Sequence, residues 1–247
     1  MDLRLEGCVY IVTGGSRGLG LAVARELTSD GARVLITGRS RSVKESASRL
    51  GDEGVALGVV ADNADPESAD RLVEQAKNHF GRLDGALISV GGPPTGSAME
   101  ITDETWREAF ESIFLGSARI ARSVAHACDD GGSVVFVLSS SVREPIPGLA
   151  VSNGLRPGLG MLAKTMSDEL GARGVRVNGL LPAYIDTERQ KEIATVYEGK
   201  PPAPQNALKR MGSPEEFARA ATFLLSPAAS YLTGLMMPID GGYLRAL

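Results

Sequence analysis

Cys8-Val9-Tyr10-Ile11-Val12-Thr13, running straight into Gly14-Gly15-Ser16-Arg17-Gly18-Leu19-Gly20, is the stretch that decides the fold. Its first six residues are apolar on both sides, as a strand buried inside a parallel sheet has to be. Leu19–Ser29 then carries helical spacing. A glycine-rich turn between a buried strand and a helix lets main-chain N–H groups and the helix N-terminus approach a pyrophosphate. Glycines alone are weak evidence, because a turn of this composition can bind nothing. Their placement between the first strand and the first helix is what points to a dinucleotide.

Outward from this segment the alternation repeats. Arg33–Thr37, Val55–Ala61, Asp84–Ser89, Ser133–Leu138, Val175–Leu180 and Leu235–Ile239 read as further strands. Pro66–Phe80, Thr102–Cys128, Leu159–Leu170 and Pro214–Leu225 carry helical spacing, and Thr102 supplies a start signal for the longest of them. Strands separated by helices predict one α/β domain over residues 1–247. It is of the Rossmann type, a doubly wound parallel sheet with helices on both faces. Ligands of such a sheet sit outside the carboxyl ends of its strands. The charged, proline-bearing stretch at about 188–210 fits a lid rather than a core element. Asp129-Asp130-Gly131-Gly132 reads as a polar helix stop.

Composition narrows the function. The 247 residues are 43% hydrophobic and 23% charged, an ordinary globular balance. A chain of this length buries enough surface to fold without a disulfide or a metal. Twenty-six basic against thirty acidic residues leave a net charge of −4, which is not the basic field of a duplex binder. One Trp, five Tyr and six Phe are few for stacking single strands, so no nucleic-acid partner is expected. Cys8 and Cys128 cannot form a zinc site alone and fit small buried hydrophobes of a reducing compartment. His79 and His126 lack ligand partners at a workable spacing, so no metal is expected either. The opening MDLRLEG has no apolar signal core, and no long apolar run comes after it. The expectation is a cytoplasmic protein with no membrane partner.

Arg39 ends the second strand, where a dinucleotide fold meets the adenosine ribose. An acidic residue there accepts from both ribose hydroxyls, whereas an arginine favours a 2′-phosphate. Arg17 adds a second positive charge, and together they point to NADP(H) over NAD(H). Two solvated surface arginines are the competing reading. Asp62 and Asn63, after the third strand, suit hydrogen bonds to an adenine edge.

Six features occur in one order along the chain. They are Gly14-x-x-x-Gly18-x-Gly20, Asp62, the Gly91-Gly92 pair, Arg176-Val177-Asn178, the segment Pro182 to Thr187, and Ala229-Ser230-Tyr231-Leu232-Thr233-Gly234 with Asp240-Gly241-Gly242 behind it. In that order they resemble the short-chain dehydrogenase/reductase family over nearly the whole length, most of all its 3-oxoacyl-carrier-protein reductase branch. Ala183 stands where the family's Pro-Gly-x-x-x-Thr segment has glycine. The resemblance implies a nicotinamide cofactor held by Gly14, Ser16, Arg17, Gly18, Leu19 and Gly20, with Gly91, Pro182 and Thr187 on its other side. It also implies a small-molecule substrate and a homo-oligomer, dimer or tetramer.

At the catalytic positions the chain departs from that pattern. The family reduces a carbonyl, or oxidises an alcohol, with an Asn, Ser, Tyr and Lys set. The tyrosine passes the proton, the lysine lowers its pKa and holds the nicotinamide ribose, and the serine orients the substrate oxygen. Ser139 ends the fifth strand as that serine does. Ser152 stands at the tyrosine position, Arg156 at the lysine and Ile113 at the asparagine. A serine hydroxyl is a far weaker acid than a phenol and a shorter reach. Arg156 keeps a positive charge and donors for a ribose, but it precedes Pro157, which disfavours helical backbone angles. The helix is therefore expected to begin later than in relatives. Ser140 and Ser141 can place a hydroxyl in the vacated space. Tyr184 is the nearest phenol, either a replacement proton donor or an aromatic packed on the nicotinamide. The expected catalytic set is Ser139, Ser152, Arg156 and Tyr184. Two functions fit: an NADP(H)-dependent oxidoreductase of the carbonyl reductase or alcohol dehydrogenase type with a rearranged proton donor, or a catalytically impaired NADP(H)-binding protein with a binding or regulatory role. A lyase or isomerase on the same scaffold stays open, since function lives in sites and not in folds.

Overall fold

Successive residues of the first strand, β1 (Val9–Val12), enter opposite cores. Val9 and Ile11 join one apolar cluster, Tyr10 and Val12 the other, and all four are at most 1% exposed. This two-sided burial is why the strand is apolar without alternation. Six more strands continue the sheet: β2 (Arg33–Gly38), β3 (Ala56–Val60), β4 (Gly85–Ile88), β5 (Gly132–Val137), β6 (Val175–Pro182) and β7 (Met236–Ile239). Their spatial order is β3-β2-β1-β4-β5-β6-β7, parallel throughout. This computed structural model describes residues 1–128, 131–190 and 204–245. Most of the predicted lid and the Asp129-Asp130 helix stop lie outside the described residues.

Helices α1 (Gly18–Ser29), α2 (Ser42–Ser48), α3 (Ser68–Phe80), α4 (Asp103–Ala109), α5 (Gly116–Ala127), α6 (Ala150–Leu170) and α7 (Pro214–Leu225) are among those of the described residues. Val23 and Leu27 of α1, Val43 of α2 and Phe217 of α7 pack on the Tyr10 face. Leu72 of α3, Ile120 of α5 and Leu159 of α6 pack on the Val9 face. Each such fully buried side chain contributes about 1.5–3 kcal/mol. Arg176 of β6 ties α7 down by donating to the Leu224, Leu225 and Ser226 carbonyls at 2.8, 3.2 and 2.9 Å. Asn178 donates to Leu232 O and accepts from Leu235 N at 2.9 and 3.0 Å, which fixes the approach to β7. The Arg-Val-Asn motif is thus a structural device.

Three helices differ from the sequence expectation. The short α2 is not predicted, because only Val43 and Ala47 of its seven residues are apolar anchors, too few to show a period. The expected Thr102–Cys128 helix is α4 and α5 joined by a π-helical turn over Phe110–Leu115, with Thr102 Oγ1 accepting from Thr105 N at 3.3 Å as its cap. The expected late start of α6 is corrected: it begins at Ala150, and Pro157 lies inside it. Packing outweighs the proline, whose cost in a helix interior is about 3 kcal/mol. Val151, Ser152, Leu155 and Arg156 are buried ahead of it. The Asn153 side chain also binds both main-chain groups of Ile146, at 3.0 and 2.9 Å.

The sheet is locked at its centre. Thr13 Oγ1 donates to Ser89 O at 2.8 Å and accepts from Ser89 N at 2.9 Å, joining the ends of β1 and β4 where both residues are buried. Thr13→Val keeps the shape but strands both Ser89 groups. It is expected to lower the unfolding free energy by about 1–3 kcal/mol, seen as a lower urea midpoint at constant slope. An unchanged midpoint would mean that Ser89 has other partners.

Candidate active site

A cavity of about 1390 Å³ opens at the carboxyl ends of the strands, walled by the segments after β1 to β6. At one end the loop after β1 folds against itself. Gly14 has φ +59°, and a Cβ there would stand 2.7 Å from Ser89 O; a Cβ on Gly20 would stand 2.4 Å from Gly14 O. Neither position has room for a side chain, and without one a ligand can approach the main chain of the turn and the α1 N-terminus closely; the Gly15 amide itself donates to Thr37 O at 2.8 Å. A cradle of this kind fits a pyrophosphate.

The other expected cofactor residues gather around it. Ser16, Arg17, Gly18, Leu19, Arg39, Asp62, Asn63, Gly91, Pro182 and Thr187 all line the same cavity. Ser16 is pinned from behind, its carbonyl accepting from Ser46 Oγ at 2.9 Å. Asp62 Oδ1 accepts from Ala64 N at 3.0 Å and shapes the turn beyond β3. Arg39 comes directly after β2 and is exposed. Arg17 is exposed too, and its Nη1 lies 2.8 Å from Glu188 Oε2. That pair joins the phosphate loop to the segment after β6.

At the opposite end Ser139, Ser152, Arg156, Tyr184 and Ile113 share the cavity wall. Ser139, expected to end the fifth strand, lies two residues past β5 in extended backbone and caps the short 3-10 turn Ser140–Val142, its Oγ accepting from Ser141 N at 3.1 Å. One lone pair is thereby occupied, and the hydroxyl proton remains to be donated. Ser152 is buried, its Oγ 3.0 Å from Ser141 Oγ. Arg156 is 7% exposed, and its Nη1 donates to Val137 O at 2.8 Å and Leu138 O at 2.6 Å. Burial first, and the neighbouring Arg189 guanidinium second, push its pKa down to about 10. Tyr184 sits at φ +53° with its ring edge-on to Tyr243, centroids 5.2 Å apart. Ile113 lies in the π turn and is buried.

Residues 14–244 match the family described as "Enoyl-(Acyl carrier protein) reductase". Dehydrogenase/reductase SDR family member 4 of Oryctolagus cuniculus is 34% identical over 247 residues, spanning 96% of this chain and 94% of its own. The chain belongs to the short-chain dehydrogenase/reductase family. An uncharacterized oxidoreductase of Methylorubrum extorquens is 32% identical across 97% of this chain and 98% of its own. The crystal structure of L-sorbose reductase from Gluconobacter frateurii, complexed with NADPH and L-sorbose, matches with a TM-score of 0.91 at 30% identity, over 100% of both chains. Members of this short-chain dehydrogenase/reductase family bind a nicotinamide cofactor, and the glycine cradle is the part of the chain suited to it.

Two residues of this short-chain dehydrogenase/reductase escape a reading of the sequence. Glu188, on Arg17, leaves no signal, because a pair separated by 171 positions obeys no local period. Arg189 lines the cavity two residues beyond Thr187, and its place just past the Pro182–Thr187 segment is the available clue. Gly20→Ala tests the cradle. Alanine is the better helix former by about 0.5–1 kcal/mol, yet its Cβ would push Gly14 off Ser89. The expected result is a dinucleotide affinity at least about tenfold weaker, a loss of about 1.4 kcal/mol, read by fluorescence titration on folded protein. Unchanged affinity would place the cofactor elsewhere.

Proposed function

We propose that the protein is an NADP(H)-dependent oxidoreductase of the carbonyl reductase or alcohol dehydrogenase type, with a proton donor other than the family's tyrosine. The observation that carries this reading is one continuous cavity, with the glycine cradle at one end and the Ser139 hydroxyl at the other. Gly14, Ser16, Gly18, Leu19 and Gly20 would hold the pyrophosphate, Arg17 and Arg39 the 2′-phosphate, and Asp62 and Asn63 the adenine. Gly91, Pro182 and Thr187 would flank the nicotinamide half. In the reductive direction, bound NADPH supplies a hydride to the carbonyl carbon, and the carbonyl oxygen takes a proton.

Ser139 donates its O–H to that oxygen and fixes its orientation. Arg156 holds a positive charge at the end of β5, which stabilises negative charge developing beside it. Its Nη1 is committed to main-chain carbonyls, so only its other nitrogens can reach a ribose or a substrate. Ser152 is engaged with Ser141 and supports Ser139 through the Ser141 main chain. The proton comes from Tyr184 Oη or from water admitted to the cavity. Proximity and orientation alone lower such a barrier by several kcal/mol, so turnover does not require the tyrosine. The oxidoreductase and reductase names of the compared relatives support a catalytic role. A cytoplasmic homo-oligomer, dimer or tetramer, is part of the same proposal.

Two variants test it, read as NADPH consumption with a panel of small ketones and aldehydes. Ser139→Ala is expected to lower kcat by about 10²–10³, the usual loss for one oxyanion donor; undiminished turnover would end the reading. Arg39→Ala is expected to weaken NADPH by about 10–100-fold, one charge-assisted hydrogen bond, with NADH much less affected. Equal losses for both cofactors would remove the 2′-phosphate from Arg39.

A further inference from the structure

We propose that Glu188 competes with the cofactor's 2′-phosphate for Arg17, and so tempers the preference for NADP(H) over NAD(H) from a position outside the phosphate loop. The proposal rests on the NADP(H) reading of the cavity and adds to it a residue that sets cofactor selectivity.

The two arginines on the cofactor wall differ in their surroundings. Among the described residues Arg39 makes no ion pair, whereas Arg17 Nη1 lies 2.8 Å from Glu188 Oε2. Both members of the pair line the cavity. Their side chains are 70% and 69% exposed, so the pair is weak enough to exchange partners.

The backbone that carries Glu188 is not free to follow the arginine. Ahead of it, Asp186 N donates to Gly212 O and Gly212 N donates to Tyr184 O, each at 2.9 Å. Behind it, Gln190 N donates to Thr187 O at 3.0 Å, which closes a turn with Glu188 and Arg189 at its centre. The two side chains of that turn span the cleft. Glu188 reaches the loop after β1, and Arg189 Nη2 donates to Pro93 O at 2.5 Å in the loop after β4. Arg17 is held less firmly: it stands just ahead of α1, and among the described residues its side chain bonds to Glu188 alone. The arginine is therefore the member of the pair that changes partner.

A phosphate monoester carries a charge of about −1.5 to −2 at neutral pH and three acceptor oxygens, more than one carboxylate offers a guanidinium. An anchored Glu188 left on the same guanidinium would repel that phosphate, so the two anions do not share Arg17. A cofactor with a bare 2′-hydroxyl brings no such charge and leaves the pair in place. NADP(H) binding thus breaks one ion pair that NAD(H) binding keeps, and Glu188 recaptures Arg17 as NADP(H) leaves.

The test is a double-mutant cycle of Glu188→Gln, Arg17→Ala and the double variant, read as NADPH and NADH affinity by fluorescence titration. E188Q is expected to tighten NADPH by about twofold to fivefold, the range of an exposed ion pair, and to tighten NADH less. NADPH dissociation is expected to slow by the same factor, since affinity changes of this kind fall on the off-rate. R17A is expected to weaken NADPH, and adding E188Q to it is expected to change nothing further. Equal tightening of both cofactors by E188Q overturns the proposal, as does a gain that persists in the R17A background; either would mean that Glu188 only repels the pyrophosphate. An R17A loss without any E188Q gain overturns the competition and leaves the NADP(H) reading standing. NADPH affinity unchanged in R17A also overturns it, by removing the 2′-phosphate from Arg17. If the wild type bound neither cofactor, the proposal and the cofactor reading would fall together.

Discussion

Thr13 Oγ1, bonded to both main-chain groups of Ser89, holds together the one place where the chain changes direction across the sheet. From β1 the chain moves outward through β2 to β3, then returns to place β4 on the other side of β1. Segments leaving the ends of β1 and β4 therefore diverge and leave a cleft between them. A parallel sheet buried on both faces has no room for polar chemistry within its strands. The polar side chains that β6 does bury, Arg176 and Asn178, are spent on main-chain groups near β7, and the cavity is lined by residues past the strand ends. The close approach of Gly14 to Ser89 O belongs to the same junction, so the hydrogen bond that joins the strands also sets the shape of the phosphate loop.

The far end of the cavity is braced by the guanidinium of Arg156. A lysine is a flexible point charge, free to track a ribose hydroxyl or the proton of a phenol. Arg156 is clamped by two carbonyls of β5, and its planar head is fixed to the sheet. That rigidity compensates for the backbone preference imposed by Pro157: the residue before a proline avoids the helix in isolation, and here its side chain anchors the helix to the strand. Ser152 lies one turn before it, linked through Ser141 to the main chain beside Ser139. The three serines and the arginine form one braced wall, which suits fixed polarisation better than a mobile proton relay.

The range of each interaction decides whether sequence reveals it. The strands are legible because burial on two faces leaves an unbroken apolar run, and the glycine loop because its constraint is local. Arg39, Asp62 and Thr187 are legible by position, each standing directly past a strand or in a segment of known register. The start of α6 is not legible. A proline is a strong local signal, and the contacts that overrule it, Asn153 on Ile146 and Arg156 on Val137 and Leu138, connect residues seven to nineteen positions apart. Glu188 on Arg17 and Arg189 on Pro93 are hidden for the same reason, with separations of 171 and 96. Local chemistry writes a periodic or positional mark; long-range pairing does not.

Ile113 removes one route for the proton. It occupies a π turn, a helical defect that in other proteins often marks a functional site, and it lines the cavity with a side chain that can neither donate nor accept. The α4–α5 wall at that point cannot carry a proton. Polar residues of the same cavity wall include Ser89, Ser140, Ser152, Arg156, Tyr184 and Arg189, from the segments after β4, β5 and β6 and from α6. Those loops differ most freely within a fold. The sheet and the glycine turn set the shape of the cavity, and the loop residues set the chemistry of its wall.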